Sequence, residues 1–259
     1  MFEEFKGKVL FVTGAASGMG KSVAVRFGSL GCKVAVTARK PEKAQATVEA
    51  VKAAGGEATY VFCDISDEDS VKDAIAKTVE IYGAIDYAFN NAGCGADGVN
   101  IPFAPLTEVT ESDWLKVIGT NLTGTFHCLK YELIQMQKQG GGAIVNTASI
   151  GGLKMAPGFG AYGPSKAGVI AVTQTAAVEN AKAGIRVNAI CPGPTEGTNL
   201  MSDSIKSGGQ DTEFMKEHVI PDGKMGTTKN IEDGVVFLMS DMADHITGMS
   251  LPVCGGMQM

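Results

Sequence analysis

The chain of 259 residues is 44% hydrophobic and 19% charged, which suits a folded protein with a large buried core. Its 22 basic and 28 acidic residues give a net charge of −6, which excludes the basic footprint of a nucleic-acid-binding protein. No apolar run reaches the ~18–20 residues of a membrane-spanning helix, and the charged first residues predict no signal peptide. We therefore expect one cytoplasmic domain over residues 1–259, with neither nucleic acid nor a membrane as partner.

Apolar runs of strand length alternate with segments of helical period along the chain. The predicted strands cover residues 8–14, 33–38, 58–65, 85–91, 142–149, 186–191 and 250–254. The predicted helices cover residues 18–30, 41–54, 66–82 and 159–183, and two more surround position 121 and end near 139. Strands that are apolar on both faces indicate a parallel sheet covered on both sides. The predicted fold class is α/β, a single doubly wound Rossmann-like domain of about seven strands.

The six cysteines are widely spaced and form no C-x-x-C pair, and the three histidines are far apart in sequence. This pattern favours reduced, mostly buried thiols over a disulfide framework or a zinc site. We expect no bound metal.

A glycine-rich turn with the spacing G-x-x-x-G-x-G joins the first predicted strand to the first helix. Glycines let the backbone approach a pyrophosphate, and the helix behind them presents free N–H groups and the positive end of its dipole. Lys21 and Ser22 follow Gly20, but five residues rather than four separate Gly14 from Gly20, so the Walker spacing is absent and nucleotide hydrolysis is not indicated. The turn is expected to bind a dinucleotide; a purely structural turn is the alternative. The expected cofactor contacts are Gly14, Ser17, Gly18, Met19 and Gly20.

The second predicted strand ends in Arg39 and Lys40, without an acidic residue. An acid at this point accepts from the 2′-hydroxyl of NAD(H), whereas an arginine pairs with the 2′-phosphate of NADP(H). The two residues therefore favour NADP(H) over NAD(H), unless they lie in an ordinary solvated loop. Asp64, with the Ile65 backbone beside it, is expected either to meet the adenine amino group or to cap the next helix.

Further motifs follow the glycine turn in a fixed order, namely Asn90-Asn91-Ala92-Gly93, Asn121, Ser149, Tyr162-x-x-x-Lys166 and Pro192-Gly193. Together with the turn they resemble the short-chain dehydrogenase/reductase family in order and spacing, over essentially the whole chain. The resemblance implies an NAD(P)-dependent enzyme that interconverts an alcohol and a ketone by direct hydride transfer. It also implies a homotetramer.

The resemblance implies a catalytic role for four side chains. Tyr162 would be the general acid/base, and Lys166, at i+4 on the same helix face, would lower the pKa of the phenol and bind the nicotinamide ribose. Ser149 would hold the substrate oxygen, and Asn121 would support a water-linked proton path to the lysine. Taken singly, Tyr162 and Lys166 also fit a surface pair on a helix. Ser149 also fits a strand-end cap, and Asn121 a polar residue inside a helix.

Loops after the fourth and sixth strands are expected to complete the cofactor site. The implied contacts are Asn91, Ala92 and Gly93 on the adenosine side, and Pro192, Gly193 and Thr195 on the nicotinamide side. The sequence departs from the family pattern at Gly197, where a threonine commonly meets the carboxamide. Ser17 stands where many NADP(H)-dependent members carry a basic residue, so Arg39 bears most of the cofactor argument.

The substrate pocket is predicted from residues 93–95 and 150–159 and from a lid-like insertion at about 194–221. The insertion contains the apolar residues Leu200, Met201, Ile205, Phe214, Met215 and Ile220. They favour a cyclic or apolar substrate such as a hydroxysteroid, or else only pack the lid onto the domain. A 3-oxoacyl thioester of acyl carrier protein is the alternative substrate, disfavoured by the lack of a dense basic cluster. A non-catalytic nucleotide-binding sensor is the alternative of another class, and it would need no proton donor.

Overall fold

The computed structural model describes residues 2–94, 104–198 and 211–257, and a parallel sheet lies at its centre. The strands are β1 (Val9–Val12), β2 (Lys33–Ala38), β3 (Glu57–Phe62), β4 (Tyr87–Asn90), β5 (Gly142–Thr147), β6 (Ile185–Pro192) and β7 (Ser250–Val253). Their order across the sheet is β3-β2-β1-β4-β5-β6-β7. The predicted seven-stranded Rossmann-like sheet is thereby confirmed.

Helices connect the strands and cover the sheet. They are α1 (Gly18–Ser29), α2 (Pro41–Ala53), α3 (Glu68–Tyr82), α4 (Glu111–Ile118), α5 (Gly124–Gln139), α6 (Ile150–Leu153), α7 (Tyr162–Asn180), α8 (Thr212–His218) and α9 (Thr228–Met239). Short 3-10 turns lie at Glu3–Phe5, Leu106–Glu108, Ala181–Ala183 and Asp241–Ala243, and a π-helical segment, Gly119–Thr123, joins α4 to α5.

Side chains alternate across each strand and build a core on both faces of the sheet. In β1, Leu10 and Val12 pack in the cluster formed with α1, α2 and α9, whereas Phe11 packs in the cluster formed with α3, α5 and α7. All three are fully buried. A period of two with apolar residues on both faces is what a sheet between two helical layers requires.

The observed element ends differ from the predicted ones mainly at caps and turns. Helix α3 begins at Glu68 because the carboxylate of Asp67, not Ser66, accepts from the amides of Asp69 and Ser70. Helix α7 begins at Tyr162 rather than at position 159. Helix α9 is not among the predicted helices, although Thr227 and Asn230 form a capping box just before its buried apolar face.

The carboxyl ends of the strands form the edge at which the predicted site residues meet. The strand order reverses between β1 and β4, so the chain leaves these two neighbours toward opposite sides. Ligands bind in the crevice outside such a reversal. The loops after β1, β4, β5 and β6 all open there.

The predicted lid is described only in part, at residues 194–198 and 211–221, where it contains α8. Ile220 is buried and Phe214 is exposed. The predicted pocket residues Leu200, Met201, Ile205 and Gly95 lie outside the described residues.

All six thiols are free, and Cys94 and Cys254 are only partly buried. The described ranges contain no group of histidine, cysteine or acidic residues arranged to hold a metal ion. None of the described helices combines the length and the apolar character needed to cross a membrane.

Candidate active site

The turn between β1 and α1 is packed so closely that two of its positions admit only glycine. Gly14 has a φ of +64°, and a Cβ on it would lie 2.8 Å from the Cα of Ala92. A Cβ on Gly20 would lie 2.5 Å from the carbonyl oxygen of Gly14 and 2.7 Å from the Asn91 amide nitrogen. The turn therefore lies directly on the loop after β4, with Ser17 as the N-cap of α1 and Gly18 and Met19 in its first turn.

The residues around this turn fit a dinucleotide. The Thr13 hydroxyl oxygen accepts from the backbone N–H groups of Asn91, at 3.0 Å, and Ala92, at 3.1 Å. The Oδ1 atom of Asn91 is buried and has no hydrogen-bond partner within the described ranges. A buried, unpaired acceptor is costly unless a ligand or water donates to it. A ribose hydroxyl can donate there, and the N-terminus of α1 can meet phosphate oxygens.

Replacing Gly20 with alanine should weaken NADPH binding about tenfold or more, because the new methyl group must push the backbone of the turn out of place. Its nearest neighbours include backbone atoms, which cannot rotate away as a flexible side chain can. The control is Gly119→Ala, which adds the same methyl group where no atom lies within 4 Å. Dissociation constants from fluorescence titration measure both variants, and equal affinities would remove this turn from the nucleotide site.

Arg39 and Asp64 are brought together at the carboxyl ends of β2 and β3. The Nη1 atom of Arg39 lies 3.8 Å from Oδ2 of Asp64, and the arginine side chain is 71% exposed. Asp64 does not cap α3. Its Oδ1 atom instead accepts from the amide and the hydroxyl of Ser66, at 3.0 and 2.7 Å. Lys40 is exposed at the start of α2, and the Ile65 carbonyl accepts from Nδ1 of His127 at 3.0 Å.

Ser149 lies at the start of α6, and Tyr162 and Lys166 lie on α7, against which α6 packs. Ser149 follows β5 as the N-cap of α6, and its hydroxyl oxygen accepts from the Gly151 amide at 3.0 Å. Nζ of Lys166 lies 5.9 Å from the centre of the Tyr162 ring. A Cβ on Gly152 would lie 2.6 Å from the carbonyl carbon of Lys166, so the two helices are in direct backbone contact.

Lys166 is 5% exposed, and its Nζ donates to the carbonyl oxygen of Thr147 at 2.8 Å. Burial lowers the pKa of Lys166 from 10.5 to about 8, because the charged form loses its hydration. The thiols of Cys94 and Cys191 oppose this shift only in part. The sequence does not predict the contact with Thr147, because the acceptor is a backbone carbonyl, which every residue carries.

Asn121 is fully buried in the π-helical segment and clamps the turn after β4. Its Oδ1 accepts from the backbone N–H of Cys94, and its Nδ2 donates to the Cys94 carbonyl, both at 2.8 Å. The same Nδ2 donates to the Ser165 hydroxyl at 3.0 Å. A Cβ on Gly93 would lie 3.5 Å from Nζ of Lys166, so the clamped turn runs beside the lysine.

The loop after β6 lies beside β7 at the same edge of the sheet. Pro192 ends β6, and the Gly193 amide donates to the Val253 carbonyl at 2.9 Å. The Thr195 hydroxyl donates to the Gly193 carbonyl at 2.9 Å, and the Thr198 hydroxyl donates to the Thr195 carbonyl at 2.9 Å. The structure thus brings the three predicted nicotinamide-side residues into one local turn.

Comparisons with known proteins show which family the chain resembles. Residues 14–258 match the sequence model of the family described as enoyl-(acyl carrier protein) reductase. A 3-oxoacyl-[acyl-carrier-protein] reductase FabG of Staphylococcus epidermidis is 40% identical over 255 residues, covering 97% of this chain and 99% of that protein. A 3beta-hydroxysteroid dehydrogenase of Mediterraneibacter gnavus is 35% identical over 268 residues, covering 97% of this chain and 95% of that protein.

The fold is also that of a solved dehydrogenase. The crystal structure of an NAD+-bound xylitol dehydrogenase superposes with a TM-score of 0.91 at 36% identity, covering 98% of this chain and all of the other. The matches span the glycine turn, the loops after the strands and the Ser149, Tyr162 and Lys166 region. The chain therefore belongs to the short-chain dehydrogenase/reductase family and is an NAD(P)-dependent oxidoreductase of the alcohol–ketone class.

Proposed function

We propose that the chain is an NADP(H)-dependent enzyme that interconverts a secondary alcohol and a ketone on a cyclic or apolar substrate such as a hydroxysteroid. The observation that carries the proposal is that Ser149 caps α6, which packs on the part of α7 that holds Tyr162 and the buried Lys166, at the sheet edge that also holds the glycine turn. A proton donor, a hydrogen-bond donor and a cation beside a nucleotide site suit the reduction of a carbonyl group.

The cofactor would lie along the carboxyl edge of the sheet and supply or accept the hydride when bound. Gly14, Ser17, Gly18, Met19 and Gly20 would meet the pyrophosphate through backbone N–H groups. Arg39 and Lys40 would meet the 2′-phosphate, and Asp64 and Ile65 the adenine. The remaining contacts would come from Asn91, Ala92 and Gly93, from Pro192, Gly193 and Thr195, and from Tyr162 and Lys166 at the nicotinamide ribose.

The chain's own groups would handle the proton. Tyr162 would give its phenolic proton to the carbonyl oxygen during reduction, and the Lys166 ammonium would stabilise the phenolate that remains. The Ser149 hydroxyl accepts from the Gly151 amide, so its own hydrogen can be donated to the substrate oxygen. The water-linked proton path through Asn121 stays a prediction, since its amide group is engaged on Cys94 and Ser165.

A related structure contains NAD+, so the comparisons do not favour NADP(H). The proposed preference for NADP(H) therefore rests on Arg39. Replacing Arg39 with aspartate should weaken NADPH binding by about 10–100-fold, the range of one charge-assisted hydrogen bond, and should strengthen NADH binding. The control is Lys52→Asp, which makes the same change of charge at the far end of α2. Titrations with NADPH and with NADH measure both affinities. If the two affinities move in the same direction, Arg39 does not select the 2′-phosphate.

Apolar side chains around the catalytic groups support a cyclic or apolar substrate. Leu153 and Met155 follow Ser149 and are exposed. The ring of Phe159 packs edge-on against the Tyr162 ring, with 5.8 Å between their centres. Contact with an apolar substrate would cover this surface. A panel of cyclic ketones and oxosteroids, assayed with NADPH, tests the proposal, and failure of every member would remove it.

Reduction of a 3-oxoacyl thioester is the second candidate, favoured by the identity to the Staphylococcus epidermidis reductase. An acidic carrier protein would need basic residues at the mouth of the site. Lys216 is paired with Glu213 at 3.0 Å, and Lys206 lies outside the described residues. A thioester reduced faster than any cyclic ketone would favour this candidate. The non-catalytic sensor alternative conflicts with membership of an oxidoreductase family. The homotetramer and the cytoplasmic location stay predictions.

A further inference from the structure

A network of buried side-chain hydrogen bonds runs across two central strands, on the face of the sheet that α5 and α7 cover. Nδ2 of Asn90, on β4, donates to Oε2 of Glu132, on α5, at 2.8 Å and to Oδ1 of Asn146, on β5, at 3.0 Å. Asn146 donates to the Thr173 hydroxyl, on α7, at 2.9 Å. No member of the network is more than 4% exposed. It therefore ties two central strands to the two helices packed over them.

The hydrogen bonds leave two acceptors unsatisfied on the first two members. Oε1 of Glu132 and Oδ1 of Asn90 are both buried, and neither has a hydrogen-bond partner within the described ranges. No cation among the described residues pairs with Glu132 either. A carboxylate can only accept, whereas a carboxylic acid donates one hydrogen bond. One proton on Glu132 would turn the mismatched pair into an acid and an amide that can each donate and accept.

The surroundings of Glu132 also favour its neutral form. Burial raises its pKa to about 8, and the Asn90 hydrogen bond opposes this shift only in part. The titratable groups that face it are the thiols of Cys63, after β3, and Cys128, on α5. Both thiols are buried, and burial raises the pKa of each, so both stay neutral. A thiol has no cationic form, so neither can compensate a negative charge on Glu132.

We propose that Glu132 is an uncharged carboxylic acid that pairs with the Asn90 side-chain amide and so positions the ends of β4 and β5. Asn90 directly precedes the loop that lies on the glycine turn, and Asn146 directly precedes Thr147, whose carbonyl holds Lys166. Glu132 is thus a positioning residue that acts through these strand ends. Its effect on the nucleotide rests on the function proposed above, whereas its protonation does not.

The first test compares two substitutions of Glu132. The variant Glu132→Gln keeps an acceptor for Asn90 and adds a donor, so it should keep NADPH affinity and kcat within about threefold of the wild type. The variant Glu132→Leu leaves the Asn90 amide without its acceptor and should raise the KM for NADPH roughly tenfold, with a smaller change in kcat. The control is Met136→Leu, at a buried position on the same helix. A glutamine variant as impaired as the leucine variant, or a leucine variant with unchanged KM, would overturn the proposal.

The second test needs only the folding equilibrium and decides the matter if Glu132→Leu fails to fold. The unfolded chain loses the Glu132 proton near pH 4.5, whereas the native chain keeps it up to about pH 8. The wild type should therefore lose stability relative to Glu132→Gln as pH rises from about 5 to 8, about tenfold per pH unit in the ratio of folding constants. A ratio that stays constant over this range would overturn the proposal. Failure of the proposed function would look different, since the wild type would then prefer NADH or reduce no ketone of the panel, whereas this pH dependence of stability would remain.

Discussion

Replacing Tyr162 with phenylalanine should reduce kcat for ketone reduction about 10²–10⁴-fold, the usual contribution of a positioned general acid. That loss corresponds to about 2.7–5.4 kcal/mol of transition-state stabilisation. Phenylalanine keeps the ring that packs edge-on against Phe159, so the fold and the start of α7 should be preserved. NADPH affinity should change far less than kcat, because the hydroxyl group is only one of the many proposed cofactor contacts.

The matched control is Tyr131→Phe, which deletes the same hydroxyl group from α5, where it donates to Glu68 at 3.0 Å. This control should turn over like the wild type. Stopped-flow measurement of NADPH oxidation, with NADPH affinity measured in parallel, separates chemistry from binding. Normal turnover by Tyr162→Phe would remove this residue from the mechanism.

Replacing Lys166 with methionine should reduce kcat about 10²–10³-fold, the range for removing one preorganised group from a developing charge. Methionine fills a similar volume but leaves the Thr147 carbonyl without its donor and Tyr162 without a nearby cation. NADPH affinity should also fall, since the same ammonium is proposed to bind the nicotinamide ribose. Lys130→Met is the control, because Lys130 lies at the surface, where it pairs with Glu68.

The lowered pKa of Lys166 gives this prediction a pH dependence. In the wild type, kcat/KM for NADPH should fall as pH rises through about 8, because the free enzyme then loses the ammonium. Stability should change in the opposite sense. Between about pH 8 and 10.5 the unfolded chain binds the extra proton, so the wild type should gain stability relative to Lys166→Met as pH rises. A stability difference that does not vary with pH would show that Lys166 titrates normally.

Several features of the fold and site follow from local pattern. The second strand, residues 33–38, begins and ends where its apolar run predicts. The i+4 spacing puts Lys166 one turn from Tyr162, and the predicted strand end puts Ser149 at the edge of the sheet. These features depend on helical period, strand period and the parallel arrangement of the strands. The spacing of apolar residues in the sequence indicates all three.

Other features depend on contacts between distant segments, which local pattern does not contain. The two hydrogen bonds between Asn121 and Cys94, one donated by each residue, join positions that are 27 residues apart. The Arg39–Asp64 contact joins two different loops and depends on side-chain rotamers. Glu132 pairs with Asn90 on the buried face of its helix. From the sequence alone, an acidic residue in a helix is expected to face the solvent. Each of these required the assembled sheet.

The central claim is that this site reduces a ketone with NADPH. Its most direct test is to mix the purified protein with NADPH, and separately with NADH, and to follow the reduced-nicotinamide absorbance over a panel of cyclic ketones and oxosteroids. We predict tight NADPH binding and rapid NADPH oxidation with at least one cyclic ketone, with slower oxidation of NADH. Faster turnover with NADH, or no oxidation with any member of the panel, would contradict the claim.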